Sequence, residues 1–273
     1  MIRMLKSGWK TAWANPFALI VLFLYHFVWG LILYKYVASV VVPLMHRYPG
    51  GALPEPAVHL FLAEGQFRLI KTDLVQPYLW TLLGLAAFRM LMTPLLNAGV
   101  YYSLHYRQYN AGYRFFRGMK ELYGPFLLYY AVQTTAILAP LFWLAPKAQE
   151  VLRSAPSYES VAMKLAPYAG CLLIYGFLLQ LLTTYVQIAR ATGHHPLHSL
   201  PFLLRNALPA AGVTLGIAVL SATLSAVSVG ASLWWAGLAA LIGYQVYRFL
   251  SVFCKLWTVS SQYQLWESRQ GQD

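Results

Sequence analysis

The stretch PYLWTLLGLAAFRMLMTPLLNAGVYYSLHY, residues 77–106, decides the fold, and Arg89 is its one formal charge. About 20 mainly apolar residues are enough to cross the hydrocarbon core of a bilayer as a helix. Nothing else in such a run satisfies the backbone once water is gone, so helix is the form it takes. At 1.5 Å per residue, Arg89 stands about 18 Å from Pro77, near mid-membrane. A cation there costs about 3 kcal/mol or more unless something neutralises or hydrates it. The usual partner is a carboxylate on a neighbouring helix. No Asp or Glu lies within any apolar run of this chain. The alternatives are backbone carbonyls, water, the amides of Gln133, Gln180 or Gln187, and an anion from outside the chain.

Five more runs of the same kind cover residues 16–42, 124–145, 165–189, 209–228 and 233–259. The chain is 59% hydrophobic and only 10% charged, where soluble domains are nearer a quarter charged. We expect an all-α integral membrane protein, one polytopic domain over residues 1–273 with six transmembrane helices. Arg3, Lys6 and Lys10 precede the first run. A secretory signal has an apolar region of about 7–15 residues, so this longer run is read as a retained span.

Basic residues collect on one side. The amino terminus holds Arg3, Lys6 and Lys10. The loop after the second run holds Arg107, Arg114, Arg117 and Lys120 against Glu121. The loop after the fourth holds Arg190 and Arg205. The other side is balanced, with Arg47, Arg68 and Lys71 against Glu55, Glu64 and Asp73. The positive-inside rule then places both termini in the cytoplasm. The net charge of +12 points to anionic membrane lipids as partners and not to nucleic acid. Two amphipathic stretches read as interfacial helices: residues 54–71 on the outer side, and residues 109–122 on the inner side, where Arg114, Arg117 and Lys120 face lipid head groups.

Three inner segments look alike. Each ends in a basic residue shortly before a proline that opens an outward run: Lys10 before Pro16, Lys120 before Pro125 and Arg205 before Pro209. Proline suits the first helical turn. The chain therefore reads as three units, each an interfacial helix plus a hairpin of spans. One stretch comes nearest to a motif. It runs from Thr93-Pro94-Leu95-Leu96-Asn97-Ala98-Gly99 through Tyr101 and Tyr102 to Arg107 and the helix at 112–122. On this pattern the chain resembles uncharacterised bacterial six-span membrane proteins similar to the membrane domain of some glycerophosphodiester phosphodiesterases. The phosphodiesterase chemistry of those proteins belongs to a separate soluble domain. The resemblance implies a fold, and a bacterial cytoplasmic membrane as its place, without an activity.

Three of the cations within the apolar runs are candidate ligand-binding residues: Arg89, Lys35 and Arg248. Arginine suits phosphate because its planar fork binds two oxygens and stays charged. Lys35 and Arg248 stand nearer to an interface, where the alternative is a side chain that snorkels to water. His194, His195 and His198 resemble a metal tract, but Pro196 interrupts it and no Cys, Asp or Glu stands near, so no metal is expected. Cys171 and Cys254 lie in apolar runs and read as small core residues. Gly212 and Gly216, at GxxxG spacing, predict close packing of the fifth run on the sixth. No Walker loop, HExxH, GxSxG or carboxylate pair is present, so neither an enzyme nor a cofactor is expected. Two readings remain: binding or moving an anionic lipid or other anion, or a scaffold that holds another membrane protein.

Overall fold

A computed structural model describes residues 2–47, 76–154, 157–234 and 238–270. Among these residues every regular element is helical. The order is α1 (Ile2–Trp13), α2 (Pro16–Arg47), α3 (Gln76–His105), α4 (Ala111–Ser154), α5 (Tyr158–Ala191), a short 3-10 turn (Pro196–His198), α6 (Ser199–Arg205), α7 (Ala207–Trp234) and α8 (Leu238–Gln270). Among the described residues five candidate membrane crossings emerge: Pro16–Pro43, Gln76–His105, Ala111–Ser154, Glu159–Ala191 and Ala207–Gly230. The sixth expected span, 233–259, lies partly outside the described residues, and α8 is not among these five. The interfacial helix expected over 54–71 also lies outside them.

Two compact units divide the chain, Leu22–Thr93 and the remainder, Met1–Val21 with Pro94–Asp273. The larger unit has its core at one end of its helices. Buried there are Ala12, Leu104, Phe115, Phe126, Tyr185, Ile188, Val213, Leu256 and Trp266. Along the five candidate crossings, at most 17% of each apolar window is buried within the protein. These helices therefore turn most of their side chains outward, as lipid-solvated helices do.

The stretch expected as a separate basic interfacial helix is the opening of α4, which runs unbroken for 44 residues through Pro125, Pro140 and Pro146. At 1.5 Å per residue that is about 66 Å, twice a hydrocarbon core of about 30 Å. Helix formers such as Ala148, Gln149, Glu150 and Leu152 carry α4 past the end of the apolar run at 145 as far as Ser154. Helix α5 then begins with Ser157 and Ser160 capping each other's backbone N–H, both at 3.3 Å.

At the two other expected repeat junctions the helix does break, and in the same way. Asn15 Nδ2 donates to the Thr11 carbonyl four residues back at 2.8 Å, and its own carbonyl accepts from Leu19 N–H at 3.2 Å. Asn206 Nδ2 donates to the Phe202 carbonyl at 3.1 Å, and its carbonyl accepts from Ala210 N–H at 3.0 Å. Each asparagine closes one helix and opens the next.

Helix α1 packs along α8. Trp9 meets Phe253 and Trp257 edge-on at 4.6 and 4.9 Å, and Trp257 Nε1 donates to the Leu5 carbonyl at 2.9 Å. Helix α7 also packs on α8, as expected, but through Val213, Ile217 and Cys254. Gly216 of the GxxxG pair faces open space. A tighter approach joins α3 to α4, where a methyl group on Gly118 would overlap Tyr102 and lie 3.0 Å from the Ala98 carbonyl. Gly118→Ala is therefore expected to cost about 2 kcal/mol of stability. Gly124→Ala, where nothing lies within 4 Å, should be neutral or stabilising by up to about 1 kcal/mol. Thermal unfolding of both variants in mild detergent checks the pair, and equal melting points would refute the close approach.

Candidate functional site

The smaller unit holds two of the three predicted ligand-binding cations. Helices α2 and α3 run antiparallel there. Tyr36 Oη donates to the Tyr78 carbonyl at 2.8 Å, and the Trp29 and Phe88 rings stack 6.3 Å apart. Arg89 follows Phe88, and its guanidinium lies over the Trp29 ring, 5.7 Å from the centroid. Trp29 is buried, while Arg89 is exposed. The indole Nε1 of Trp29 is buried without an acceptor. Of the predicted amide partners, Gln133 donates to Gln180 at 2.6 Å, and Gln187 is buried. Lys35 adjoins Tyr36 and is exposed. It lies six residues beyond Trp29, about 9 Å further along the axis of α2.

Arg248 belongs to the larger unit. Its Nε donates to Tyr244 Oη at 3.1 Å, with the guanidinium 5.4 Å from that ring's centroid. A tyrosine one turn away thus holds Arg248 along its own helix.

The predicted basic face of 109–122 separates into two. Arg117 is on the outside, its Nε 2.6 Å from Glu121 Oε1 and its guanidinium near the rings of Tyr109 and Tyr113. Lys120 is exposed as well. Arg114, expected beside them, is buried. Helical periodicity explains the difference, because Phe115 and Gly118 share the inward face with Arg114.

Arg114 belongs to a polar network at the core end of the larger unit. It donates to Asn15 Oδ1 at 2.6 Å and to the Arg107 carbonyl at 3.4 Å. Arg107 donates through Nε to the Leu104 carbonyl at 3.1 Å and through Nη2 to Thr11 Oγ1 at 3.5 Å. Gln264 donates to the same hydroxyl at 3.4 Å. Nearby, His105 Nδ1 and Tyr263 Oη are 3.1 Å apart. Burial pushes the Tyr263 phenol up to about 12, so it keeps its proton throughout the neutral range. Gln262 accepts from Tyr185 Oη and donates to the Ala210 carbonyl at 2.8 Å and to Thr214 Oγ1 at 2.6 Å. Ser103, Ser260 and Ser261 hold buried hydroxyls without partners.

Sequence reasoning missed Thr11, Asn15, Arg107, Gln262 and Gln264 as site residues. The signals were an asparagine at a helix junction and the polar run Ser260-Ser261-Gln262 next to an apolar stretch. The histidine tract binds itself locally. His194 Nδ1 and Thr192 Oγ1 are 3.0 Å apart, and His195 Nδ1 accepts from Leu197 N–H at 3.4 Å. Among the described residues no group of three or more His, Cys, Asp or Glu could hold a metal ion. Comparison with family models, with curated proteins and with solved structures gives no match to this chain.

Proposed function

We propose that this is a six-span protein of the cytoplasmic membrane, with both termini inside, that binds an anionic amphiphile through Arg89. The observation that carries the reading is a mid-helix arginine whose contact is an aromatic ring. Arg89 lies about 20 Å from Gln76 and about 24 Å from His105 along α3, so neither interface is within reach of its side chain. The insertion cost of about 3 kcal/mol exceeds the cation–π return of about 1 kcal/mol at an exposed ring. A phosphate or similar anion supplies the difference, held by the planar guanidinium. Lys35 offers a second cation further along the same helix pair. The basic residues Arg117 and Lys120 favour anionic lipids at the inner surface.

The test is native mass spectrometry of the purified protein with lipid identification, for wild type and Arg89→Leu. Wild type should retain an anionic lipid at about one per chain, and the variant should lose it. An equal lipid complement in both would overturn the assignment. The exposure of Arg89 favours a second reading, in which a carboxylate of a partner membrane protein meets it and the chain serves as a scaffold. In that case a protein, not a lipid, leaves with the Arg89→Leu substitution.

A further inference from the structure

A different arginine carries an inference that shares no residue with Arg89. Arg114 is only 7% exposed, yet its two acceptors, Asn15 Oδ1 and the Arg107 carbonyl, are neutral. Its Nε is buried with no acceptor at all. An arginine removed from water without an ionic partner is strongly destabilising. A second cation adds to the cost. Arg107 docks on Thr11, and Thr11 and Asn15 stand one helical turn apart, joined by the Asn15 amide. The α1–α2 junction thus draws two guanidinium groups together against their repulsion.

No ion pair relieves either charge among the described residues. Glu121 is engaged by Arg117, and Glu267 accepts from Gln264 at 3.4 Å. The backbone adds more positive character. The first bond of α4 runs from Arg114 N–H to the Asn110 carbonyl at 3.0 Å. The N–H groups of 111–113 precede it and present the positive end of the helix dipole. The turn that leads here, 107–110, is exposed. The bond from Arg107 to Thr11, at 3.5 Å, is the longest in the cluster, so Arg107 is the group that moves aside most readily.

We propose that Arg107, Arg114 and the amino-terminal turn of α4 form a site for a phosphate group, presented by a lipid head group or by a soluble phosphate ester. Two planar forks and a helix amino terminus match the oxygens of one phosphate, and its charge offsets both cations. An anion entering past Arg107 gives Arg114 Nε the acceptor it lacks.

Two probes separate the sources. Inorganic phosphate is titrated against the detergent-solubilised full chain at constant ionic strength, with binding read by calorimetry. Separately, nanodiscs of phosphatidylcholine with and without phosphatidic acid are analysed by native mass spectrometry. Two variants accompany wild type. Arg107→Gln removes the exposed cation. Asn15→Asp places a carboxylate beside Arg114 and supplies the counter-ion internally. Saturable phosphate binding, weakened about tenfold or more in both variants, establishes a site for soluble phosphate esters. Loss from both variants of one phosphatidic acid per chain that Arg89→Leu retains, without a response to inorganic phosphate, establishes a head-group site. Lys164→Gln, which removes an exposed charge elsewhere, should match wild type in both assays. The proposal is overturned if wild type binds neither probe, or if Arg107→Gln and Asn15→Asp bind as wild type does.

Discussion

Asn15→Leu is expected to destabilise the protein by about 3–5 kcal/mol, more than Arg114→Met does. Asn15 is 2% exposed and accepts the shortest bond that Arg114 donates, at 2.6 Å. Removing the acceptor leaves the buried guanidinium with the Arg107 carbonyl, at 3.4 Å, as its remaining acceptor. Removing the arginine instead leaves a neutral Asn15 that still donates to the Thr11 carbonyl, with a thioether filling the space of the arginine stem. The double variant Asn15→Leu with Arg114→Met should therefore be more stable than Asn15→Leu alone. Chemical denaturation of the four proteins in mixed micelles measures the cycle. If the double variant is the least stable of the four, the arginine is held by something other than Asn15.

Gln262→Leu comes second in expected size, at about 2–4 kcal/mol. Gln262 and Tyr185 are both fully buried, and the amide spans three groups on two helices: Tyr185 Oη, the Ala210 carbonyl and Thr214 Oγ1. Ala210 and Thr214 also bond to each other at 3.1 Å, so they keep a partner when the amide is lost. Tyr185 Oη does not. The cost should thus fall mainly on the stranded phenol, and Tyr185→Phe added to Gln262→Leu should recover much of it. Additive losses in the double variant would show that the two side chains contribute independently.

The apolar runs were legible because the bilayer demands length and hydropathy, and both can be counted in 77–106. The inner face of α4 was not legible for a physical reason. In a soluble helix Tyr113 and Phe116 would turn inward and Arg114 outward. Beside a membrane an exposed aromatic ring has hydrocarbon to meet, so hydropathy no longer separates protein from surroundings. The structure leaves Tyr113 57% and Phe116 59% exposed and puts Arg114 inside. Prolines misled for a related reason. Pro16 opens a helix, whereas Pro125 lies within one. The real breaks are set by Asn15 and Asn206, whose side chains take over a backbone carbonyl. Arg89 was legible as a lone charge, but its contact with Trp29 needed the register of α2 against α3.

The placement of the core has a consequence for how this chain can change over time. Where a side chain meets only lipid, leucine, isoleucine, valine and phenylalanine are nearly interchangeable, because no neighbour of fixed shape selects among them. Positions that are not buried within the protein make up most of each candidate crossing. Among the described residues, shape and polarity are demanded together mainly at the end where Thr11, Asn15, Arg114, Tyr185 and Gln262 meet their partners. Selection on the fold therefore has a short list of positions to guard, and long stretches of the chain are free to drift in sequence while the helices they build stay the same.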